Sequence, residues 1–275
     1  MSALPEKEKN MNKQMNTGLV KKLGAGFLFF TVTLSIACAE ELEPSATPYR
    51  PTITNPADLS APGWLELEAG LQRIEGGSDK QRDSVPLLFK LAFSEDWGIL
   101  VGGETGVRRT DLSNEVFSGN GDTTFLIKHR ISAATEGTAW GVEAGYKAPT
   151  APDTIGSGKS DAIVSAIYST DIGRHHLDLN LSATQLGAYA DGEGSIQYGW
   201  AAGVSHVLND RFGAFAELSG VSRSAVATQA QMMAGASYNL SKRVVLDAGA
   251  SWGLNKASQE WTVFAGVTTL LGRLW

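Results

Sequence analysis

The stretch His176–Leu186, HLDLNLSATQL, decides the fold because its apolar and polar residues alternate. The two sets are Leu177, Leu179 and Leu181 against Asp178, Asn180, Ser182 and Thr184. Successive side chains of a β-strand point to opposite faces, so this alternation predicts a strand with one apolar face and one polar face.

The same period-2 pattern recurs before and after this stretch, in segments of about ten residues between Gly63 and Trp275. We count about 12 such strands, although the register of residues 161–170 is ambiguous. Tight turns, such as Asn209-Asp210 and Ser241-Lys242, alternate with longer Gly-, Ser- and Asp-rich links, such as 109–121 and 148–160. Short turns at one end and longer loops at the other are typical of outer-membrane barrels. The pattern predicts an all-β fold, an antiparallel up-and-down transmembrane β-barrel.

A soluble β-sandwich or a lipocalin-like barrel is the alternative, since both also contain alternating strands. Aromatic residues favour the membrane, because many stand near strand ends, where an interfacial girdle would lie. They are Trp64, Trp97, Trp140, Tyr146, Trp200, Tyr238, Trp252 and Trp261.

The first 39 residues have the features of a secretory signal peptide. Lys13, Lys21 and Lys22 precede the apolar run Leu23–Ala39, which ends in the small residues Ala-Cys-Ala. We expect cleavage near Ala39, with Met1 or Met11 as the start. A single membrane-spanning helix or a lipid anchor on the cysteine are the alternatives.

Residues 40–62 contain five of the nine prolines and form a predicted Pro-rich, extended lead-in without strand partners. The barrel is predicted to occupy residues 63–275.

Composition and motifs argue against several function classes. The net charge is −6 and no cluster of Lys and Arg is present, which disfavours nucleic-acid binding. Cys38 is the single cysteine, so a cysteine zinc site is excluded. The four histidines, His129, His175, His176 and His206, form no recognisable catalytic motif. We therefore expect no enzyme activity, no catalytic residue, no metal and no cofactor.

The polar faces of the strands carry charges whose sign changes from one strand to the next. On the first five strands these residues are Glu66, Glu68, Lys90, Glu104, Lys128, Arg130, Glu143 and Lys147. Opposite charges on adjacent strands pair laterally. The later strands add a polar, acidic wall of Asp178, Asn180, Glu217 and Asp247. Two interpretations remain open: a charged constriction of a pore, or a salt-bridge ladder that fills the lumen.

Several short motifs resemble a family of bacterial outer-membrane "transporter" barrels associated with the MetA pathway of phenol degradation. They are Tyr-Arg-Pro at 49–51, APGWLELEAG at 61–70, GNGD at 119–122, GYKAPT at 145–150 and GSGKSD at 156–161, with Ala151 where the family commonly has glycine. The resemblance covers most of residues 49–275. It implies a barrel that passes small, often aromatic, compounds.

These observations predict an outer-membrane channel or transporter in a Gram-negative cell. Small molecules, aromatic or hydrophobic compounds among them, are the expected solutes. The other expected partners are outer-membrane lipid and the barrel-assembly machinery. The alternative function is a structural or adhesion-type barrel with a filled lumen and no conduction.

Overall fold

A computed structural model describes residues 43–275 of the chain. The predicted signal peptide and its cleavage site lie outside the described residues. The strands are Trp64–Glu75 (β1), Gln81–Ala92 (β2), Trp97–Thr110 (β3), Val116–Gly119 (β4), Thr123–Ser132 (β5), Thr138–Ala148 (β6), Asp161–Ile172 (β7), His175–Gln185 (β8), Ile196–Val207 (β9), Phe212–Arg223 (β10), Val226–Ser241 (β11), Val244–Gly253 (β12) and Trp261–Arg273 (β13). Within residues 43–275, no helix is long and apolar enough to cross a membrane.

Twelve of the strands form one closed antiparallel barrel, which confirms the predicted fold class. Neighbours along the barrel are neighbours in sequence, and β13 closes the sheet on β1, with Trp64 opposite Arg273 and Glu75 opposite Trp261. The short β4 pairs with the end of β3 outside the ring. Sequence analysis predicted this part of 109–121 to be loop. The β-branched and aromatic residues Val116 and Phe117 instead continue the sheet opposite Thr110 and Arg109.

The connections give the barrel two different ends. At one, called here the short-turn end, Gly173-Arg174 joins β7 to β8 and Lys242-Arg243 joins β11 to β12. At the other, the loop end, residues 149–160 join β6 to β7 and residues 186–195 join β8 to β9. One loop-end connection is also tight. Only Ser224 and Ala225 join β10 to β11.

The alternation of residue types determines which side chains face outward. In β8, Leu179 and Leu181 are exposed, while Asn180 between them is only partly exposed. In β7, whose register was ambiguous from the sequence, Val164 is exposed and Ile167 is buried. An apolar outer face around a polar interior is the arrangement that a lipid bilayer requires of a barrel.

Candidate functional site

The interior of the barrel contains residues 43–62, called here the inner segment. The segment begins at the short-turn end, where Glu43 pairs with Arg243 at 3.0 Å and the amide of Ala46 donates to the carbonyl of Lys242 at 2.8 Å. It also leaves at that end, where the amide of Gly63 donates to the carbonyl of Ala92 in β2. The lead-in predicted from its prolines contains no strand but forms one isolated parallel bridge, between Pro62 and Ala92 of β2. Its other residues contact side chains of the lumen.

The first arm of the inner segment contacts β1 and β2. The amide of Thr47 donates to both carboxylate oxygens of Glu66 at 3.2 Å, and the amide of Tyr49 donates to Glu68 at 2.7 Å. Lys90 lies between these two carboxylates, 2.6 Å from each, and also donates to the carbonyl of Thr47. Three charged side chains of the wall thus bind backbone groups of the segment as well as one another.

The turn of the inner segment contacts three further strands, β12, β10 and β8. Arg50 pairs with Asp247 of β12 at 3.0 Å. The amide and hydroxyl of Thr54 donate to one oxygen of Glu217 in β10, at 2.7 and 2.9 Å. The backbone of Asn55 exchanges two hydrogen bonds with the side chain of Asn180 in β8, at 2.7 and 2.9 Å.

Asn55 also links the turn to β6, because its side chain donates to both oxygens of Glu143 at 3.1 Å. Glu143 pairs in turn with Lys128 of β5 at 3.2 Å. Lys128 donates to the hydroxyl of Tyr49 at 3.0 Å and to the carbonyl of Pro56, so it joins the two arms.

The returning arm is held by β5 and β7. The amide of Ala57 donates to the hydroxyl of Ser169 at 2.7 Å, and Arg130 pairs with Asp58 at 2.7 Å. Ala57 packs with Ala139 and Ile167 in a small buried cluster. The arm is therefore fixed by a backbone hydrogen bond, a partly exposed ion pair and apolar packing.

The remaining charges predicted for the lumen have no direct ion pair with the inner segment. Glu104 pairs with Arg82, and Lys147 pairs with Asp161 at 2.7 Å and Asp122 at 3.4 Å. Both groups lie toward the loop end. Asp178 accepts from Ser169 and contacts His176 at 3.1 Å.

These contacts differ from an uninterrupted ladder of paired charges. Lys90 pairs with β1 and Lys128 with β6, but Arg130 pairs with the inner segment. Sequence reasoning did not single out Arg82 or Asp58. Arg82 could have been predicted to face the lumen, because it lies an even number of positions from Lys90 on the same strand and therefore shares its face. Nothing in the sequence around Asp58 indicates its partner.

These ion pairs are buried, so breaking their contacts with the inner segment would cost much stability. Lys128 and Glu66 are 0% exposed and Lys90 is 2% exposed. Taking such charges out of water is costly unless every charged group is paired and hydrogen-bonded, so removing one partner is strongly destabilising. The three groups have several partners each, and some of those partners belong to the inner segment.

Two of the cavities in the lumen lie on different sides of the turn of the inner segment, and a smaller one, of about 220 Å³, lies between the segment and Glu68 and Gln72 of β1. The short-turn-end cavity, of about 370 Å³, contacts Thr52 and Thr54 and reaches Asn239 and Val245. The loop-end cavity, of about 340 Å³, contacts Ile53 and Asn55 and has a wall of uncharged polar residues. That wall includes Ser165, Ser182, Ser219, Gln229, Gln231 and Gln259.

Among residues 43–275, the histidines do not form a nucleophile–base pair. Ser169 and His176 both contact the carboxylate of Asp178 and not each other. The ring of His129 stacks on that of Trp97, with the ring centroids 4.1 Å apart. The rings of His175 and His206 are in contact, with their centroids 4.4 Å apart. In the part of the chain that the structure describes, no group of three or more His, Cys, Asp or Glu side chains could hold a metal ion.

Solved structures with a similar fold are outer-membrane channels. A channel from Pseudomonas putida F1 aligns with a TM-score of 0.62 at 11% identity, covering 78% of this chain and 98% of that chain. The KdgM porin in complex with disordered oligogalacturonate aligns with a TM-score of 0.55 at 9% identity, covering 75% of this chain and 99% of that chain. The NanC porin aligns with a TM-score of 0.54 at 11% identity, covering 75% of this chain and 100% of that chain. At these identities the likeness shows the fold alone.

No protein-family profile matches the sequence, and a search of curated proteins gave no match. The resemblance to outer-membrane barrels is therefore supported at the level of the fold. The narrower resemblance to the family of the phenol-degradation pathway has no support from these comparisons.

Proposed function

We propose that this protein is an outer-membrane channel for small solutes whose lumen is interrupted by its own inner segment. The observation that carries the proposal is the position of the two cavities, which contact the inner segment at residues 52 and 54 and at residues 53 and 55. The obstruction between them comes from a segment without strand structure, while the wall around it is a continuous sheet. A small displacement of such a segment would join the two cavities.

The solutes follow from the lining of the lumen. Asp247 and Glu143 are paired with Arg50 and Lys128, whereas Glu217 forms no salt bridge with any residue within 43–275 and accepts only from Thr54. Acidic walls disfavour anions. Polar solutes suit this lumen better than aromatic or hydrophobic ones, because about half of the residues that line the loop-end cavity are Ser, Asn and Gln.

The second candidate function is a structural or adhesion-type barrel that conducts nothing. The buried ion pairs of Lys90 and Lys128 favour it, because each ties the inner segment to the wall. The two candidates make different predictions about whether the segment moves.

A reversible cross-link of the inner segment to the wall separates them. A Cβ placed on Gly203 would lie 3.4 Å from the Cβ of Thr54, close to the spacing of about 3.5–4.5 Å in disulfides. We would therefore prepare Thr54→Cys with Gly203→Cys and measure solute entry into liposomes before and after reduction. Each single variant is the control.

A channel gated by the segment passes glycerol and glucose when reduced and is closed when oxidised. Absence of flux in both states would favour the structural barrel. Equal flux in both states would show that solutes bypass the segment, contrary to the proposal.

The proposed location is the outer membrane of a Gram-negative cell, reached after cleavage of residues 1–39. The apolar outer face would contact lipid, and insertion would require the barrel-assembly machinery. Cell fractionation tests the location, and N-terminal sequencing of the mature protein tests the cleavage near Ala39. Recovery of the protein in the soluble periplasmic fraction would contradict the proposal.

A further inference from the structure

The loop-end cavity has the chemistry of a binding site for an uncharged, hydroxyl-rich molecule. Its volume of about 340 Å³ is within the range of small-molecule sites, roughly 300–1,000 Å³. None of the described residues that line it is basic, and its one acidic residue, Glu143, is engaged by Lys128 and Asn55. Neither an anion nor a cation would therefore find an unpaired charge there.

The hydrogen-bonding groups of the cavity are partly free. Ser165, Ser182 and Gln229 make no side-chain hydrogen bond to any residue within 43–275. Hydroxyl and carboxamide groups each donate and accept, and a sugar hydroxyl has the same dual capacity. Ile53 and Val221 supply apolar surface beside these groups, suited to the C–H faces of a sugar ring.

Ser219 points to a ligand independently of the cavity's composition. It is 2% exposed, yet its hydroxyl has no hydrogen-bond partner among residues 43–275. Buried polar groups are nearly always paired, so an orphan hydroxyl at a cavity wall calls for an occupant that pairs with it.

Part of the wall is held in place by other polar contacts. The side-chain amide of Gln259 donates to Gln231 at 2.7 Å and to Thr262 at 2.8 Å. The hydroxyl of Ser258 donates to the carbonyl of Ala230 at 2.8 Å. These bonds keep the loop 254–260 against the cavity, so the polar groups are positioned before any ligand binds.

We infer that the loop-end cavity binds a neutral mono- or disaccharide, or a polyol of similar size. This inference rests on the proposed channel, for which it names the class of solute. Binding at this cavity does not require movement of the inner segment, because the cavity lies on the loop-end side of the segment and is lined by Ser258 and Gln259 of the connection 254–260.

The test is isothermal titration calorimetry on the refolded full-length mature protein with glucose, maltose, glucuronate and phenol. We expect glucose or maltose to bind more tightly than glucuronate, which differs from glucose by a carboxylate, and more tightly than phenol. Tighter binding of glucuronate or phenol, or no binding of any neutral sugar, would overturn the inference.

Two variants locate the site. Ser219→Ala removes the orphan hydroxyl and should weaken sugar binding roughly two- to tenfold, the size of one hydrogen bond. Thr268→Val is the matched control, because its hydroxyl is also buried without a partner but does not line this cavity. Equal affinity of the two variants would contradict this placement.

Liposome flux measured on the same proteins keeps the two proposals apart. Sugar binding without flux would support the site and contradict the channel. Flux without sugar binding would support the channel and overturn the site.

Discussion

Arg50 and Asp247 lie 197 positions apart in the sequence, yet Nε of Arg50 donates to a carboxylate oxygen of Asp247 over 3.0 Å. The pair anchors the turn of the inner segment to β12. Two glycines make room for it, because the guanidinium of Arg50 lies against Gly70 of β1 and Gly266 of β13. A side chain at either glycine would occupy the place of the guanidinium.

Gly266→Ala should loosen the inner segment without unfolding the barrel. The new Cβ would lie 2.5 Å from Nε of Arg50, and the end of a flexible side chain can move away. We expect Arg50 to separate from Asp247 and solute flux into liposomes to increase. Gly272→Ala in the same strand is the control, since nothing lies within 4 Å of its Cβ. A flux equal to that of the control would indicate that Arg50 does not hold the segment.

Lys90→Met should destabilise the barrel strongly. It leaves Glu66 and Glu68 buried without their cation, which typically costs about 3–5 kcal/mol. The measurement is the temperature at which the folded band is lost on unboiled gels. Arg73→Met, which breaks the solvent-exposed pair with Asp83, should change this temperature little. Similar temperatures for the two variants would mean that Lys90 is solvated.

Exchanging Lys128 and Glu143 should not restore full stability. In a simple ladder the swapped pair, Lys128→Glu with Glu143→Lys, would recover the ion pair. Here Lys128 also donates to the carbonyl of Pro56, which a carboxylate at that position would face without a proton. We expect the swapped variant to unfold in less urea than the unchanged protein and to recover only part of the stability lost in Lys128→Glu alone, where two carboxylates face each other. Full recovery would support the simple ladder.

Leu181→Arg should impair folding into lipid, because Leu181 is 66% exposed on the outer face near the middle of β8. An arginine facing lipid at this depth costs roughly 2–4 kcal/mol. Ser182→Arg, one position further, places the same side chain in the loop-end cavity near Glu143 and should fold with higher yield. Folding yields in liposomes measure both. Equal yields would contradict the membrane-facing assignment.

The candidate site could be predicted only in part. Strand alternation singled out Glu66, Glu68 and Lys90, and the structure buries these three together. It could not indicate that backbone groups of Thr47 and Tyr49 share them. The alternation of side chains along a strand indicates which face a residue occupies. Which residues meet across the lumen depends on how the sheet closes.

By itself the sequence determined the barrel wall, because alternation is a local property that each strand carries independently. HLDLNLSATQL at 176–186 already has one face for lipid and one for the lumen. The position of residues 43–62 was decided only by the tertiary structure. This stretch has no periodicity, and its partners Glu68, Glu217 and Asp247 lie on strands far apart in sequence. They meet around the segment only once β13 has paired with β1 and enclosed it.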